Sequence, residues 1–342
     1  MLHKHYKQIA LTITLGLIGC NPTPTPTGQD TTQPIGDRPS VIATTSVLCD
    51  MTQQVAAETV DLTCMVAPGE DPHLYQPTPE DRKAIEQADL ILYGGYDFEP
   101  ALIKLVEATS NPAPKVAVHE VAVSQPIMAE PHSHGHDREH SHDDGSTAEE
   151  NAPDPHVWHS AQNGIAMVET IRDNLEQIAP EHTSLYNSNA QQVTSELTQI
   201  DAWIKSQIAT IPPQQRKLVT THDAMNYYSQ AYGIPIEGAL GGISTEEAPT
   251  AARVSELVKD IRQSSVPTIF AEATLNPRLI ETVAREANVQ VSDRKLFADG
   301  LGEPGTDANT YQNKLIANTR TIVEGLGGNY TPPQVASKRG EG

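Results

Sequence analysis

The chain has 342 residues, 37% of them hydrophobic, more than the about 100–200 of a single domain, so a two-lobed molecule with real cores is expected. Its 44 acidic and 23 basic side chains leave a formal charge of −21. Such a charge repels phosphate backbones and anionic lipid surfaces, which excludes nucleic acid as a natural partner and favours cations.

The chain opens MLHKHYKQIALTITLGLIGC. A basic start (Lys4, Lys7) precedes an apolar run from Ile9 to Ile18, too short to span the about 30 Å hydrocarbon of a bilayer. It reads as an export signal over residues 1–19. The run ends in Leu17-Ile18-Gly19-Cys20, which resembles the bacterial lipobox and implies a lipidated Cys20. The Pro- and Thr-rich stretch that follows, through residue 39, reads as an extended tether, with folding starting near Ser40. Cys49 and Cys64 then remain, candidates for one disulfide worth about 3 kcal/mol, or else a pair of free buried thiols.

From Ser40 the pattern alternates between strand and helix. A β-branched run (residues 40–46) leads to a helix over Asp50–Thr59 and a strand over Val60–Val66. A capped helix at Thr78-Pro79-Glu80-Asp81 follows, then a strand over Ala88–Tyr93, a helix over Glu99–Thr109 and a strand over Lys115–Val118. The segment 129–153 interrupts the order with acidic residues and His132, His134, His136, His140 and His142, a composition that cannot pack and reads as a mobile loop (130–146). A helix over Gln162–Ile178 precedes a longer one from Glu181 to Ile208. Tyr186, Ala190, Val193, Leu197, Ile200, Ile204 and Ile208 form one apolar stripe along it, on a rod reaching about 40 Å. Alternation then resumes with strands over 217–221, 234–239, 268–271 and 290–292, and helices over 224–232, 248–264, 277–287 and 307–325. The expected architecture is α/β, with parallel sheets in two halves, residues 40–180 and 211–327, flanking a linking helix over 181–210, and a flexible tail over 328–342. A ligand belongs in the cleft between the halves, at the carboxyl ends of strands.

Four loop residues stand out: His73 in GEDPHLYQ, His156 in DPHVWHS, His222 in VTTHDAMN and Asp299 in LFADGLG. Neutral imidazole and carboxylate suit a divalent transition ion, and four of them close a tetrahedral shell that binds rather than catalyses. Taken singly, each is an ordinary loop residue. The segments DPHLYQPTPEDRKAIEQADLIL, DPHVWH, THDAMNYYSQAYGI, GGISTEEAPTAARVSELVKDI and LFADGLG are together similar to those of the zinc- and manganese-binding receptors of bacterial ABC transporters. The similarity runs from Ser40 to Gly325 apart from the histidine-rich insert.

That resemblance implies two (β/α)4-type lobes joined by one rigid helix, with the ion held by His73 and His156 of the first and His222 and Asp299 of the second. Manganese-type members often carry Glu where this chain has His222, so the resemblance leans toward Zn2+, with Mn2+ as the alternative cargo. It further implies a monomeric receptor, anchored outside the cytoplasm through Cys20, serving an ABC permease and its ATPase. Loops should order on metal binding more than lobes swing. The five loop histidines would gather metal weakly near the cleft; a surface metal buffer or adhesin is the other role such a chain could serve.

Other candidates read more plainly. His119 closes a strand pattern and reads as structural, His159 as at most a supporting residue, and His182 as facing solvent at the head of the rod. Glu246 and Glu247 read as first-turn charges of a helix. Asp71 and Asp154 precede Pro-His pairs, where a carboxylate can accept the ring N–H of a ligating imidazole or simply form a turn. No H-E-x-x-H, nucleotide-binding glycine loop or nucleophile elbow occurs, so no catalytic chemistry is expected.

Overall fold

Four short parallel strands open the fold in the computed structural model, which describes residues 38–128, 152–246 and 248–334. Strands β1 (Ser40–Ala43), β2 (Asp61–Cys64), β3 (Leu90–Tyr93) and β4 (Lys115–Ala117) pair in the order β2-β1-β3-β4. Helices α1 (Ser46–Ala56), α2 (Pro79–Gln87) and α3 (Pro100–Ala108) make the crossovers, α4 (Val118–Ala122) follows β4, and α5 (Ala161–Ile178) completes this half. β1 and β3 are buried over almost their whole length, as expected of parallel strands covered on both faces. Cys49 of α1 is disulfide-bonded to Cys64 at the end of β2, with Cα atoms 5.6 Å apart.

The long helix α6 (Thr183–Ile208) has 26 residues, about 39 Å at 1.5 Å per residue. All seven residues of the stripe read from the sequence are buried. They pack α6 against α1 and α5 on one side of the chain order and α10 (Tyr311–Gly325) on the other. One rod thus shares its apolar face between both halves.

The second half has β5 (Leu218–Thr220) parallel to β6 (Ile236–Ala239) and β7 (Thr268–Ile269) parallel to β8 (Gln290–Val291). A hydrogen bond from Phe270 N to Val219 O, 2.9 Å, links the two pairs beside β5 and β7. Helices α7 (Asn226–Tyr232), α8 (Ala251–Gln263), α9 (Arg278–Ala287) and α10 alternate with these strands.

Several boundaries differ from the sequence reading, each for a local reason. α1 starts at Ser46 rather than Asp50 because the Thr45 side chain caps it, accepting from Leu48 N. Thr250 and Thr310 do the same for α8 and α10, so those helices begin a turn later than expected, and Glu246 lies exposed in the loop ahead of α8 rather than in its first turn. Pro180–His182 is a separate 3-10 turn before α6. Residues 328–331, expected as free tail, are tied down: Asn329 N donates to Thr210 Oγ1 at 3.0 Å and Thr331 N to Gln207 Oε1 at 2.8 Å. Cys20, Glu247 and the five histidines of the insert lie outside the described residues. Among the described residues no helix is long and apolar enough to cross a membrane.

Candidate metal centre

Each of the four singled-out residues sits in a connecting segment between strands and helices or in a short 3-10 turn. Asp71 caps the turn Pro72–Leu74 by accepting from His73 N at 3.0 Å. His156 stands immediately before the turn Val157–His159, and its main chain is held by Asp154 Oδ1 at 2.9 Å. His222 follows β5, where Thr220 Oγ1 donates to its carbonyl at 2.8 Å. Asp299 follows β8 and the bridge between Glu272 and Leu296.

The fold brings all four together. One donor atom from each lies within 4.8 Å of the others, and all four side chains are buried. Asp299 Oδ1 is 3.1 Å from His222 Nε2, 3.4 Å from His156 Nε2 and 3.9 Å from His73 Nε2. Nevertheless both Asp299 oxygens and the three Nε2 atoms have no aligned hydrogen-bond partner. Buried polar atoms normally have one, because burying a hydroxyl or amide without it costs about 1–3 kcal/mol. Three imidazole nitrogens and a carboxylate, none with an aligned partner, therefore converge in one buried cluster.

Two of the three imidazoles are oriented from behind. Asp154 Oδ1 lies 2.8 Å from His156 Nδ1. Glu272, 1% exposed, accepts from the backbone N–H of Thr221 and His222 through Oε1, at 3.0 and 2.9 Å, and its Oε2 holds His222 Nδ1. A carboxylate on Nδ1 places the proton there and leaves Nε2 free to donate its lone pair. Asp71 takes a different part: it bonds the backbone of His73 and accepts the hydroxyl of Thr245, 2.7 Å away, across the cleft. The His73 ring has no such partner and lies edge-on to Phe98, centroids 4.9 Å apart.

Electrostatics divide the three rings. Burial pushes His73 down to about 3, with Asp299 opposing. Burial also works against the charged forms of His156 and His222, but Asp154 and Asp299 lift the first above the ordinary histidine value, and Asp299 and Glu272 lift the second well above it. Burial would raise Asp299, yet His222 and His156 hold it well below the usual carboxylate range.

Behind the cluster lies a buried layer. The Ala298 carbonyl accepts from Trp158 Nε1 at 3.1 Å and from Lys314 Nζ at 2.8 Å, and Lys314, pushed down to about 7 by burial, stands 5.0 Å over the Trp158 ring. His119 and His159 are buried beside Trp158 and outside the four-residue cluster. Burial pushes His119 down to about 3. Glu99, pushed up to about 7 by burial, accepts from Thr44 Oγ1 and Gly94 N at 2.7 and 2.6 Å. His182 is partly exposed at the head of α6. The sequence reading missed Glu272, whose signal is an acid closing the apolar run Ile269-Phe270-Ala271. It also missed Lys314, which has no signal, since a lysine on an amphipathic helix normally faces water.

Comparison with known proteins agrees with this geometry. The family described as ZnuA, zinc-uptake complex component A, periplasmic, matches residues 41–325. A manganese-binding lipoprotein MntA of Halalkalibacterium halodurans is 30% identical over 321 residues, covering 94% of this chain and 98% of the relative. The manganese ABC transporter substrate-binding lipoprotein PsaA of Streptococcus pneumoniae is 32% identical over 302 residues, covering 87% and 92%. A solved structure described as the periplasmic zinc binding protein TroA from Treponema pallidum superposes with a TM-score of 0.75 at 30% identity, over 85% of this chain and 99% of that one. The chain belongs to this zinc-uptake component A family: it is a metal-binding substrate-binding protein of an ABC transporter, a receptor and not an enzyme.

Proposed function

We propose that the chain captures Zn2+ outside the cytoplasm through His73, His156, His222 and Asp299 and delivers it to an ABC permease driven by its ATPase. The observation that carries this reading is the convergence of three unpartnered Nε2 atoms and one unpartnered carboxylate in a buried cluster. Three imidazoles and one carboxylate suit zinc, which accepts four ligands tetrahedrally at about 2.0–2.2 Å. Intrinsic affinity for nitrogen donors also favours zinc over manganese.

Mn2+ is the second reading, favoured by the names of two of the relatives, a manganese-binding lipoprotein and a manganese ABC transporter substrate-binding lipoprotein. Both oxygens of Asp299 are without partners, so a bidentate carboxylate could supply the extra oxygen that manganese prefers. The lipid anchor at Cys20 is part of the proposal, supported by the order of apolar run, small residue and cysteine and by relatives named lipoproteins.

The test is competitive titration of the chain with Zn2+ and Mn2+, read by calorimetry and native mass spectrometry, with and without residues 130–146. One tight zinc site that survives the deletion and disappears in His222→Ala is the expected result. Tight binding that vanishes with the insert while the four residues prove replaceable would overturn it, and a manganese preference would change the cargo.

A further inference from the structure

The first turn of α7 reaches from the second half of the molecule onto the segment that carries His156. Asn226 Nδ2 donates to Asp154 Oδ2 and to Asp223 Oδ1, each at 3.1 Å. Asp154 belongs to the first half, and its other oxygen holds both the main chain and Nδ1 of His156. Asp223 belongs to the second half and follows His222 directly. The next residue, Tyr227, donates its hydroxyl to the Asp154 carbonyl at 3.2 Å and accepts from Ile127 N at 3.0 Å.

We infer that Asn226 is a positioning residue for the metal centre: it ties the His156 segment to the His222 segment and sets how long a captured divalent cation is held. The inference rests on the proposed role of His73, His156, His222 and Asp299. An amide has two N–H donors on one nitrogen, and here both are spent on carboxylates from opposite halves; the reverse orientation would set the amide oxygen against two acids. With Oδ2 of Asp154 held by Asn226, Oδ1 stays on the main chain and Nδ1 of His156, which fixes where that ring stands. Asn226 is not placed there to start α7, because the helix has no side-chain cap and neither bond of Asn226 goes to helix backbone.

The test uses the full chain loaded with Zn2+ or Co2+, releasing its ion to an excess of chelator. Partners of ligating histidines change metal affinity by about 10–100-fold when removed. Asn226 acts one step further back, so Asn226→Ala should release zinc about tenfold faster, at the low end of that range, and alter the visible Co2+ spectrum. Unfolding of the metal-free chain should barely move. Asn226→Asp, nearly identical in shape but without the donors, should release faster still. In an Asp154→Ala background Asn226→Ala should add nothing, because its partner is gone. An unchanged release rate and Co2+ spectrum in both Asn226 variants would overturn the inference, as would an effect that persists in full without Asp154. The two levels separate cleanly: if Asp299→Ala binds zinc like the parent, the metal-centre reading fails. If Asp299→Ala is lost while Asn226→Ala behaves as the parent, only the positioning role fails.

Discussion

Replacing Glu272 by Gln preserves shape and removes one charge at the carboxylate that orients His222. Glu272 accepts three hydrogen bonds, two from backbone N–H groups through Oε1 and one from the His222 ring through Oε2. A glutamine can satisfy only one side. With its oxygen on the backbone, its NH2 faces Nδ1, which must then accept; the ring proton moves to Nε2, the atom aimed at the cluster. With its oxygen on Nδ1, the NH2 collides with two backbone donors. A hydrogen bond to a charged group contributes about 1.5–3 kcal/mol, and carboxylate partners of ligating histidines change affinity by about 10–100-fold, or about 1.4–2.7 kcal/mol. The two estimates agree, so Glu272→Gln should weaken zinc binding by one to two orders of magnitude, on the scale of about 10–100-fold. Competition against a chromogenic chelator measures the affinity, and circular dichroism checks that the metal-free fold is intact. Unchanged affinity in a folded variant would refute the account of how His222 is held.

Three further outcomes follow from the same geometry. His156 and His222 are raised above 6.5 in the metal-free protein, so an ion bound through the proposed ligands would have to displace protons from them. Zinc affinity should keep climbing with pH above that value, with proton release measurable in buffers of different ionisation enthalpy; their contribution to metal-free stability runs the opposite way, complete below 6.5 and lost as pH rises through their folded values. Lys314 is depressed from 10.5 to about 7, so the unfolded chain binds more protons between those values. Lys314→Met should raise the melting temperature near neutrality, with the gain fading toward pH 10.5, where the parent ammonium no longer costs the fold anything. Cys49→Ser with Cys64→Ser should lower stability by about 3 kcal/mol for a loop of this length, seen in denaturant midpoints, while zinc affinity stays that of the parent.

What the sequence disclosed follows the range of the forces involved. The stripe from Tyr186 to Ile208 was legible because a helix repeats its burial every three or four residues, and all seven positions are buried. The four centre residues were visible as polar loop positions after strands or before helices, but only the resemblance gathered them into one set. α4 was missed because Val118-His119-Glu120-Val121-Ala122 is a short, partly β-branched run that reads as the end of a strand. α1 was placed late because the Thr45 cap is followed by Val47 and Leu48, residues equally at home in a strand. The tie from Asn226 to Asp154 joins residues 72 apart, and no local pattern announces such a partner.

The converging atoms belong to segments that are distant in the chain and come from both halves. On the proposed ligand set, an ion among them would act as a removable cross-link between four loops, closing long stretches of chain without a covalent bond. Ligand that binds only the folded state, at a thousand times its dissociation constant, adds about 4.1 kcal/mol to stability. Loaded and empty receptors should therefore differ in their resistance to envelope proteases, and metal supply would set the lifetime of the protein as well as its occupancy.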